Sequence, residues 1–270
     1  MNILIFILIF LFGTIIGSFL NVVIFRFNTG KTMVNSRSIC MTCNRNLRWF
    51  ELVPIFSFLI QGGKCRRCKE SISYQYPLVE FITGIIFILV AQHFQNVLFF
   101  SPSSYIFLIT FFSFLFSILV VISVYDLRHK VIPDKLVYFY IFVSFISIFV
   151  NTRGFGHLFF IPSLSFFLAG PVLALPFALI WLFSKGRWMG LGDAKLMLGL
   201  GWMLGFYFGL ASLVLAFWIG AIVGLLIMFF SHNKINMKTE IPFAPFLIIS
   251  ALIVFFLSLD IFTLSLLFKF

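Results

Sequence analysis

The sequence predicts an all-α, polytopic membrane protein with about eight transmembrane helices and one small polar island between the first two. Three observations indicate this: 62% of the 270 residues are hydrophobic, only 10% are charged, and long apolar runs recur along the chain. A soluble domain is roughly half apolar and about a quarter charged. Because the bilayer core offers backbone groups no water, we expect the long runs to be helices.

The individual helices follow from apolar runs of about 20 residues, the length that crosses a bilayer. The first run is too long for the apolar core of a secretory signal and lacks a basic start, so we expect it to be retained. The stretch 195–230 is too long for one span at about 1.5 Å per residue, and we expect a break near Gly209. The helices are expected near 3–23, 78–98, 104–125, 136–150, 161–183, 195–209, 211–230 and 245–267.

The basic residues indicate an orientation. With the N-terminus outside, 17 of the 19 Lys and Arg residues fall in inner segments, and only Arg153 and Lys269 fall outside. This asymmetry is what the positive-inside rule predicts. We therefore assign the net charge of +11 to topology and to anionic lipid of the bilayer, and expect no nucleic acid partner. The chain then divides into a first helix (1–23), a cytoplasmic island (24–77) and a seven-helix membrane domain (78–270).

All four cysteines lie in the island, as the pairs Cys40-x-x-Cys43 and Cys65-x-x-Cys68. Two such pairs separated by 21 residues are typical of a structural zinc site with four thiolate ligands. Two redox pairs or two disulfides are the alternative, which a cytoplasmic location disfavours. No histidine lies in the island, so we expect the zinc to brace a small domain rather than to carry the chemistry.

Two aspartates border apolar segments on the inner side: Asp126 ends one predicted helix and Asp193 begins another. An acid inside or beside a membrane segment is costly and is therefore a candidate for function. Two alternatives stay open. Asp193 could cap its helix, and Asp126 could pair with Arg128 or Lys130.

If the two aspartates meet, they form the centre of an aspartic protease. Such a pair shares one proton; the ionised member takes a proton from water, and the protonated member polarises the peptide carbonyl. We expect Asp126, at a helix C-terminus, to be the acid and Asp193, at an N-terminus, to be the base. Gly190 and Gly192 would let a substrate backbone approach closely.

Two other functions compete with the protease. A transporter could use Asp126 and Asp193 as a proton relay, but transporters usually place such groups near the midplane between repeated halves, and no repeat is visible. A non-catalytic scaffold with a docking island is the third interpretation.

Five motifs follow one another along the chain: "GSFLNVVIFR" (17–26), "GGKCRRCKESISYQYPLVE" (62–80), "DLRHKVIPD" (126–134), "GLGDAKLM" (190–197) and "PFAPFL" (242–247). In these motifs, and over nearly its whole length, the sequence resembles the type IV prepilin peptidases, the bacterial prepilin leader peptidase/N-methyltransferase family of GxGD-type intramembrane aspartic proteases. It departs from the family pattern in "CMTC" (40–43) and at Ala244, where glycine is usual.

The resemblance implies catalytic roles for Asp126 and Asp193 and a zinc ion (Zn2+) on the four cysteines. It also implies cleavage of a short basic leader from type IV prepilins or type II secretion pseudopilins, at the cytoplasmic face of the bacterial inner membrane. Many family members then methylate the new N-terminus with S-adenosylmethionine. We consider Glu51, Glu70 and Glu80 as acidic candidates for contacting the leader.

Overall fold

A computed structural model shows a helical chain, which confirms the all-α prediction. The structure describes residues 3–30, 32, 38–150, 152, 158–230 and 241–267. Within these ranges the extended pairing consists of isolated bridges, two of them in the cysteine island. The chain forms two compact units, Met1–Val121 and Ile122–Phe270, and the boundary falls inside one long helix.

The first unit is built on the packing of its first helix against its third. Glycines bring these helices together: a Cβ on Gly17 would lie 2.7 Å from the Cα of Glu80, and one on Gly13 would lie 2.9 Å from the Cα of Gly84. Small residues at such contacts allow close backbone approach in a membrane. The helices are α1 (Ile3–Arg26), α2 (Phe56–Ile60), α3 (Gln75–His93), α4 (Gln95–Phe100) and α5 (Pro102–His129), with a 3-10 turn at Trp49–Glu51; the end of α5, from Ile122 onward, belongs to the second unit.

The second unit is arranged around one short helix, α8, which packs against α6, α7, α9 and α10. A Cβ on Gly199 would lie 2.5 Å from Tyr140 Cε1, and one on Gly201 would lie 2.8 Å from the Cα of Gly170. These contacts favour packing as the reason for the glycines of α8. The helices of this unit are α6 (Asp134–Ser147), α7 (Leu164–Ser184), α8 (Leu191–Leu204), α9 (Phe206–Phe230), α10 (Ala244–Leu257) and α11 (Ile261–Leu267).

Five helices of the described chain are long and apolar enough to cross a bilayer: α1, α3, α5, α7 and α9. The polytopic membrane class is thereby confirmed. Helices α6, α8 and α10 have 14 residues each, about 21 Å at 1.5 Å per residue, so length alone does not establish them as spans.

Two predicted boundaries need correction. The stretch 195–230 does break, but at Gly205 rather than at Gly209, because Gly205 takes φ +80, which favours glycine. Gly209 lies inside α9 with its Cα face against Leu173. The last predicted run, 245–267, is two helices, and α10 stops where Ser258 takes φ +52. Six basic residues used for the orientation lie outside the described residues: Lys31, Arg37, Arg153, Lys234, Lys238 and Lys269.

Candidate active site and metal site

Asp126 lies in the last turn of α5 and is only 4% exposed. The helix ends there because Lys130 takes φ +54, with its N–H donating to the Asp126 carbonyl at 2.7 Å. The Asp126 carboxylate accepts a hydrogen bond from the backbone N–H of Ala244, the first residue of α10. Asp126 forms no ion pair with any residue in the described ranges, so the expected alternative of pairing with Arg128 or Lys130 is not found.

Asp193 is the third residue of α8 and is also buried. Its carboxylate accepts a hydrogen bond from the backbone N–H of Gly190, and its own N–H donates to the Gly190 carbonyl at 3.3 Å. Gly190, in an extended conformation, is the residue that caps the helix. Asp193 is therefore not the N-cap that the capping alternative supposed; it accepts the N–H of the cap residue, and its side chain remains inside the second unit.

The fold brings the two aspartates together. They come from the end of α5 and the start of α8, and their carboxylates are close enough to interact electrostatically. In a buried site two negative charges repel each other strongly, and the pair favours holding one proton between them. The arrangement can therefore supply one acid and one base to the same bound molecule.

The two glycines before Asp193 have different surroundings. A Cβ on Gly190 would lie 3.8 Å from Asp193 Oδ2, in ordinary contact, so this glycine leaves room beside the carboxylate. A Cβ on Gly192 would lie 2.9 Å from the Cβ of Ile132. Gly192 therefore has a packing reason that the sequence did not reveal, whereas a side chain at Gly190 would touch the Asp193 carboxylate without a clash, so Gly190 remains the candidate for substrate approach.

An ion pair that sequence reasoning missed lies near the two acids. Lys195 of α8 contacts Asp134, the first residue of α6, at 2.6 Å, and its ammonium lies 4.7 Å from the ring centroid of Tyr138. Lys195 follows Asp193 by two residues. The only sequence signal was that both residues fall in the quoted motifs 126–134 and 190–197.

The four cysteines form one cluster in the first unit. Their sulfur atoms all lie within 4.8 Å of one another, and Cys40 Sγ and Cys68 Sγ are 3.8 Å apart. A tetrahedron of thiolates with metal–sulfur bonds of about 2.3 Å has edges of about 3.8 Å. The donor set and its spacing therefore fit a zinc ion.

The two cysteine pairs have the same backbone conformation. In each pair the first cysteine N–H donates to the carbonyl five residues later, Cys40 to Arg45 at 2.9 Å and Cys65 to Glu70 at 2.8 Å. The chain turns through positive φ at the residue that follows the second cysteine, +51 at Asn44 and +58 at Lys69. This repeated knuckle points both sulfur atoms of a pair at the same point.

The backbone of the knuckles also stabilises the thiolate form of two of the cysteines. Backbone N–H groups of Cys68 and Arg67 donate to the Cys65 sulfur and lower its pKa to about 6. The N–H of Cys43 lowers the pKa of Cys40 in the same way. Although the N–H of Glu70 acts to lower it, burial and the neighbouring thiols raise the pKa of Cys68 to about 11. Without a metal the cluster cannot hold four negative charges, and a divalent cation would relieve their repulsion.

Two of the three glutamates considered for leader contact already have partners inside the protein. Glu51 accepts hydrogen bonds from Arg45 at 2.5 Å and from the Arg48 N–H at 2.8 Å. Burial acts to raise the pKa of Glu51, but these two donors outweigh it and hold the pKa below its usual value. Glu80 accepts the Ile55 N–H at 2.7 Å. Both side chains are buried, which leaves the exposed Glu70 as the accessible one of the three.

A cavity of about 850 Å³ lies in the first unit between α1, the cysteine island and the start of α3. Asn21, from the motif 17–26, lines it and is 1% exposed. The Asn21 amide donates to the carbonyls of Gly17 and Tyr76, while its Oδ1 has no hydrogen-bond partner among the described residues. A buried acceptor without a donor is unfavourable, which makes Asn21 an unusual residue beside this cavity.

Comparisons with known proteins agree with these features. Residues 11–94 match the Bacterial Peptidase A24 N-terminal domain, and residues 113–225 match the Type IV leader peptidase family. The prepilin leader peptidase/N-methyltransferase of Bacillus subtilis is 30% identical over 242 residues, covering 88% of each chain.

The protein of the same name from Pseudomonas aeruginosa is 30% identical over 269 residues, covering 89% of this chain and 86% of its own. That of Vibrio cholerae is 29% identical over 250 residues, covering 90% and 92%. No solved structure matches. With two domain matches and full-length relatives of one name, the chain belongs to the type IV prepilin leader peptidase family.

Proposed function

We propose that this protein is a membrane-embedded aspartic endopeptidase that removes the short basic leader from type IV prepilins or type II secretion pseudopilins. The observation that carries this proposal is the buried, interacting pair Asp126 and Asp193. Family membership supplies the substrate class. The cleavage reaction needs one acid and one base near the scissile peptide, and this pair offers both.

In the proposed reaction, the ionised aspartate accepts a proton from a water molecule as the water oxygen attacks the peptide carbonyl carbon. The protonated aspartate donates a hydrogen bond to the carbonyl oxygen and so stabilises the charge that develops there. The aspartate that accepted the water proton then donates it to the leaving nitrogen as the carbon–nitrogen bond breaks. Asp126 and Asp193 alone perform these transfers, and the zinc site takes no part.

The positions of the two residues support Asp126 as the acid and Asp193 as the base. The C-terminal end of α5 disfavours a negative charge on Asp126, and the N-terminal end of α8 favours one on Asp193. Each carboxylate accepts one backbone N–H, from Ala244 and Gly190 respectively, so these hydrogen bonds do not indicate which aspartate is the acid and which is the base. The assignment therefore depends on the helix ends, and the proton belongs to the pair.

The same pair supports a sixth membrane crossing among the eight that we propose. Because Asp126 ends α5 and Asp193 begins α8, the chain between them must return to the side of the membrane that it left. Of the two helices between them, α7 is long enough to cross, so the 14-residue α6 must cross as well. We place the N-terminus outside and both aspartates at the cytoplasmic face of the bacterial inner membrane, with 1–23, 24–77 and 78–270 as functional divisions.

We assign a structural zinc ion to Cys40, Cys43, Cys65 and Cys68. The 3.8 Å spacing of two sulfur atoms and the four-thiolate donor set support zinc. With four protein ligands the coordination is complete, and no position is left for a substrate or a reactive water. The metal would hold the two knuckles together in a segment with little core of its own.

The cavity of the first unit supports the second activity in the relatives' name. Its volume of about 850 Å³ lies in the range of small-molecule sites, roughly 300–1,000 Å³. Asn21 and Glu80 are among the residues that line it, and we assign them to the amino-acid part of S-adenosylmethionine. That cofactor supplies an electrophilic methyl group for an N-terminal amine.

Purified protein in a nanodisc, incubated with a prepilin, tests the peptidase. We expect a product shortened by the leader, detected by mass spectrometry. A chain that leaves the prepilin intact but moves protons across the membrane would instead support the relay alternative. For the second activity, Asn21→Leu should reduce methylation of the cleaved product while cleavage continues; unchanged methylation would contradict the assigned cavity.

A further inference from the structure

The cysteine island carries an exposed apolar face on its short helix. In α2 the side chains of Phe56, Leu59 and Ile60 are 55%, 66% and 74% exposed, and their spacing places them on one side of the helix. Trp49 lies in the neighbouring 3-10 turn and is 80% exposed. The opposite side of α2 is occupied, because Phe58 packs against the ring of Tyr74. We call Trp49, Phe56, Leu59 and Ile60 the island ridge.

The start of α2 is held beside a membrane helix. The Ile55 N–H donates to Glu80 Oε2 of α3 at 2.7 Å, and Ile55 takes φ +59, a conformation that costs a β-branched residue energy. Glu80 lies five residues into α3, about 7.5 Å along its axis. A buried carboxylate thus fixes α2 at a defined depth along α3.

At that depth α3 already presents apolar side chains to its surroundings. Its exposed stripe begins before Glu80 and has helical spacing, so it is the face that α3 offers to lipid. Leu78 precedes Glu80, and the rest of the stripe follows it. The start of the island ridge therefore lies at the same depth along the α3 axis as side chains that face lipid. The stripe consists of Leu78, Phe81, Ile82 and Ile85.

The charges around the ridge favour a particular lipid. Four basic residues lie exposed directly after α2, and Glu70 is the single acid among them. Juxtamembrane basic clusters attract anionic phospholipid headgroups, and Trp is typical of the membrane interface. A basic prepilin leader would be repelled by the same cluster. The basic residues are Lys64, Arg66, Arg67 and Lys69.

We propose that the island ridge inserts into the leaflet on the island's side of the membrane, with the adjoining basic residues on anionic phospholipid headgroups. The island is then anchored to the bilayer by its own apolar side chains as well as by α1 and α3. This anchoring is independent of the proposed peptidase and would hold for an inactive chain.

Photo-crosslinking tests the proposal on the full chain. The protein is placed in nanodiscs of phosphatidylcholine and phosphatidylglycerol that contain a phosphatidylcholine with a diazirine in its acyl chain, and adducts are mapped by mass spectrometry. We expect residues 56–60 to be labelled about as strongly as the stripe on α3, and about tenfold more than residues 38–47 of the same island. Labelled α3 with unlabelled 56–60 would overturn the proposal.

Three further arms sharpen the result. The double variant Leu59→Asp, Ile60→Asp should lose the label on residues 56–60. Met41→Asp, which charges an exposed apolar residue between Cys40 and Cys43, should keep that label. Retained zinc in both variants shows that the island is folded. Omitting phosphatidylglycerol should reduce the label on 56–60 severalfold, and an unchanged label would contradict the headgroup contact. If added prepilin removes that label while α3 stays labelled, the ridge is a prepilin site and the proposal fails.

Discussion

The four thiols of the island and the two aspartates of the second unit are positioned by different means. The thiols are placed by backbone hydrogen bonds within two short knuckles, so their geometry depends on a few neighbouring residues. The aspartates come from two helices far apart in the sequence; α10, which packs against α8, donates its Ala244 N–H to Asp126. The metal site is thus local in origin, and the acid pair depends on the packing of a whole unit.

The two sites therefore have different roles: the thiol site stabilises the island, and the acid pair performs the proposed chemistry. A closed four-thiolate site stabilises the segment that contains it and leaves no position for a substrate. Two buried carboxylates repel each other when both are ionised, so packing elsewhere must hold the acid pair in place. Damage to the two sites should therefore have different consequences, and the expected effects can be ranked.

The largest effect is expected at the acid pair. Asp126→Asn or Asp193→Asn should each lower prepilin cleavage by at least about a thousandfold, because an amide can neither accept nor release the proton. The cleaved fraction is measured by mass spectrometry on protein in nanodiscs. Asp260→Asn is the matched control, since Asp260 only caps α11 through the Thr263 N–H. Near-normal cleavage by either active-site variant would refute the pair.

Loss of a thiol should be the next largest change, and it should be confined to the island. Cys65→Ser is expected to remove the zinc and to make 38–74 sensitive to protease, since structural zinc contributes folding free energy of about 10 kcal/mol or more. Met41→Ser, between two ligands, should keep the metal. Zinc is counted by mass spectrometry of the metal. A full complement of zinc in Cys65→Ser would contradict the assigned ligands.

The zinc affinity of the four-cysteine site should depend on pH. Zinc binding requires thiolates, so affinity should fall as pH drops, most steeply below about 6, where Cys65 gains a proton. A competing chelator measures the affinity across this range. Thiol protonation competes with zinc binding over a range of about pH 8 to pH 5. A zinc affinity that stays constant over this range would be incompatible with thiolate ligands.

A smaller effect is expected where packing holds the aspartates. Gly201→Val should destabilise the second unit by about 3 kcal/mol, because the new side chain would meet the backbone of Ala169 and Gly170, which cannot move aside. Gly224→Ala is the control, since its nearest neighbour would be Ile241 Cδ1 at 3.9 Å. Thermal unfolding in detergent compares them. Equal melting temperatures would show that α8 is not tightly packed there.

The smallest effect is expected at the ion pair between Lys195 and Asp134. An exposed pair contributes about 0.2–1 kcal/mol, so Lys195→Met should slow cleavage by less than about tenfold. The exchanged variant, with Lys195→Asp and Asp134→Lys, should recover part of the rate if the pair orients the start of α8. Recovery is read from kcat at saturating prepilin. If neither the single nor the exchanged variant changes kcat, the ion pair has no positioning role.

The sequence was sufficient for features that depend on composition or on short spacing. Long apolar runs predicted the helices, and the cysteine spacing predicted the cluster. It was insufficient where one residue's conformation decides the outcome: whether a helix breaks at Gly205 or at Gly209 depends on which glycine the packing forces into positive φ. Contacts between distant elements were also out of reach, since nothing in the residues pairs Ile55 with Glu80 or Ala244 with Asp126.

The most direct test of the proposed reaction is the pH dependence of prepilin cleavage by the intact protein, measured as kcat/KM in nanodiscs. A pair that works with one proton is inactive when both carboxylates are protonated and when both are ionised. The rate should therefore rise, pass through a maximum and fall as pH increases. A rate that climbs to a plateau and stays there at alkaline pH would show that no protonated aspartate is needed, and would contradict the shared-proton mechanism.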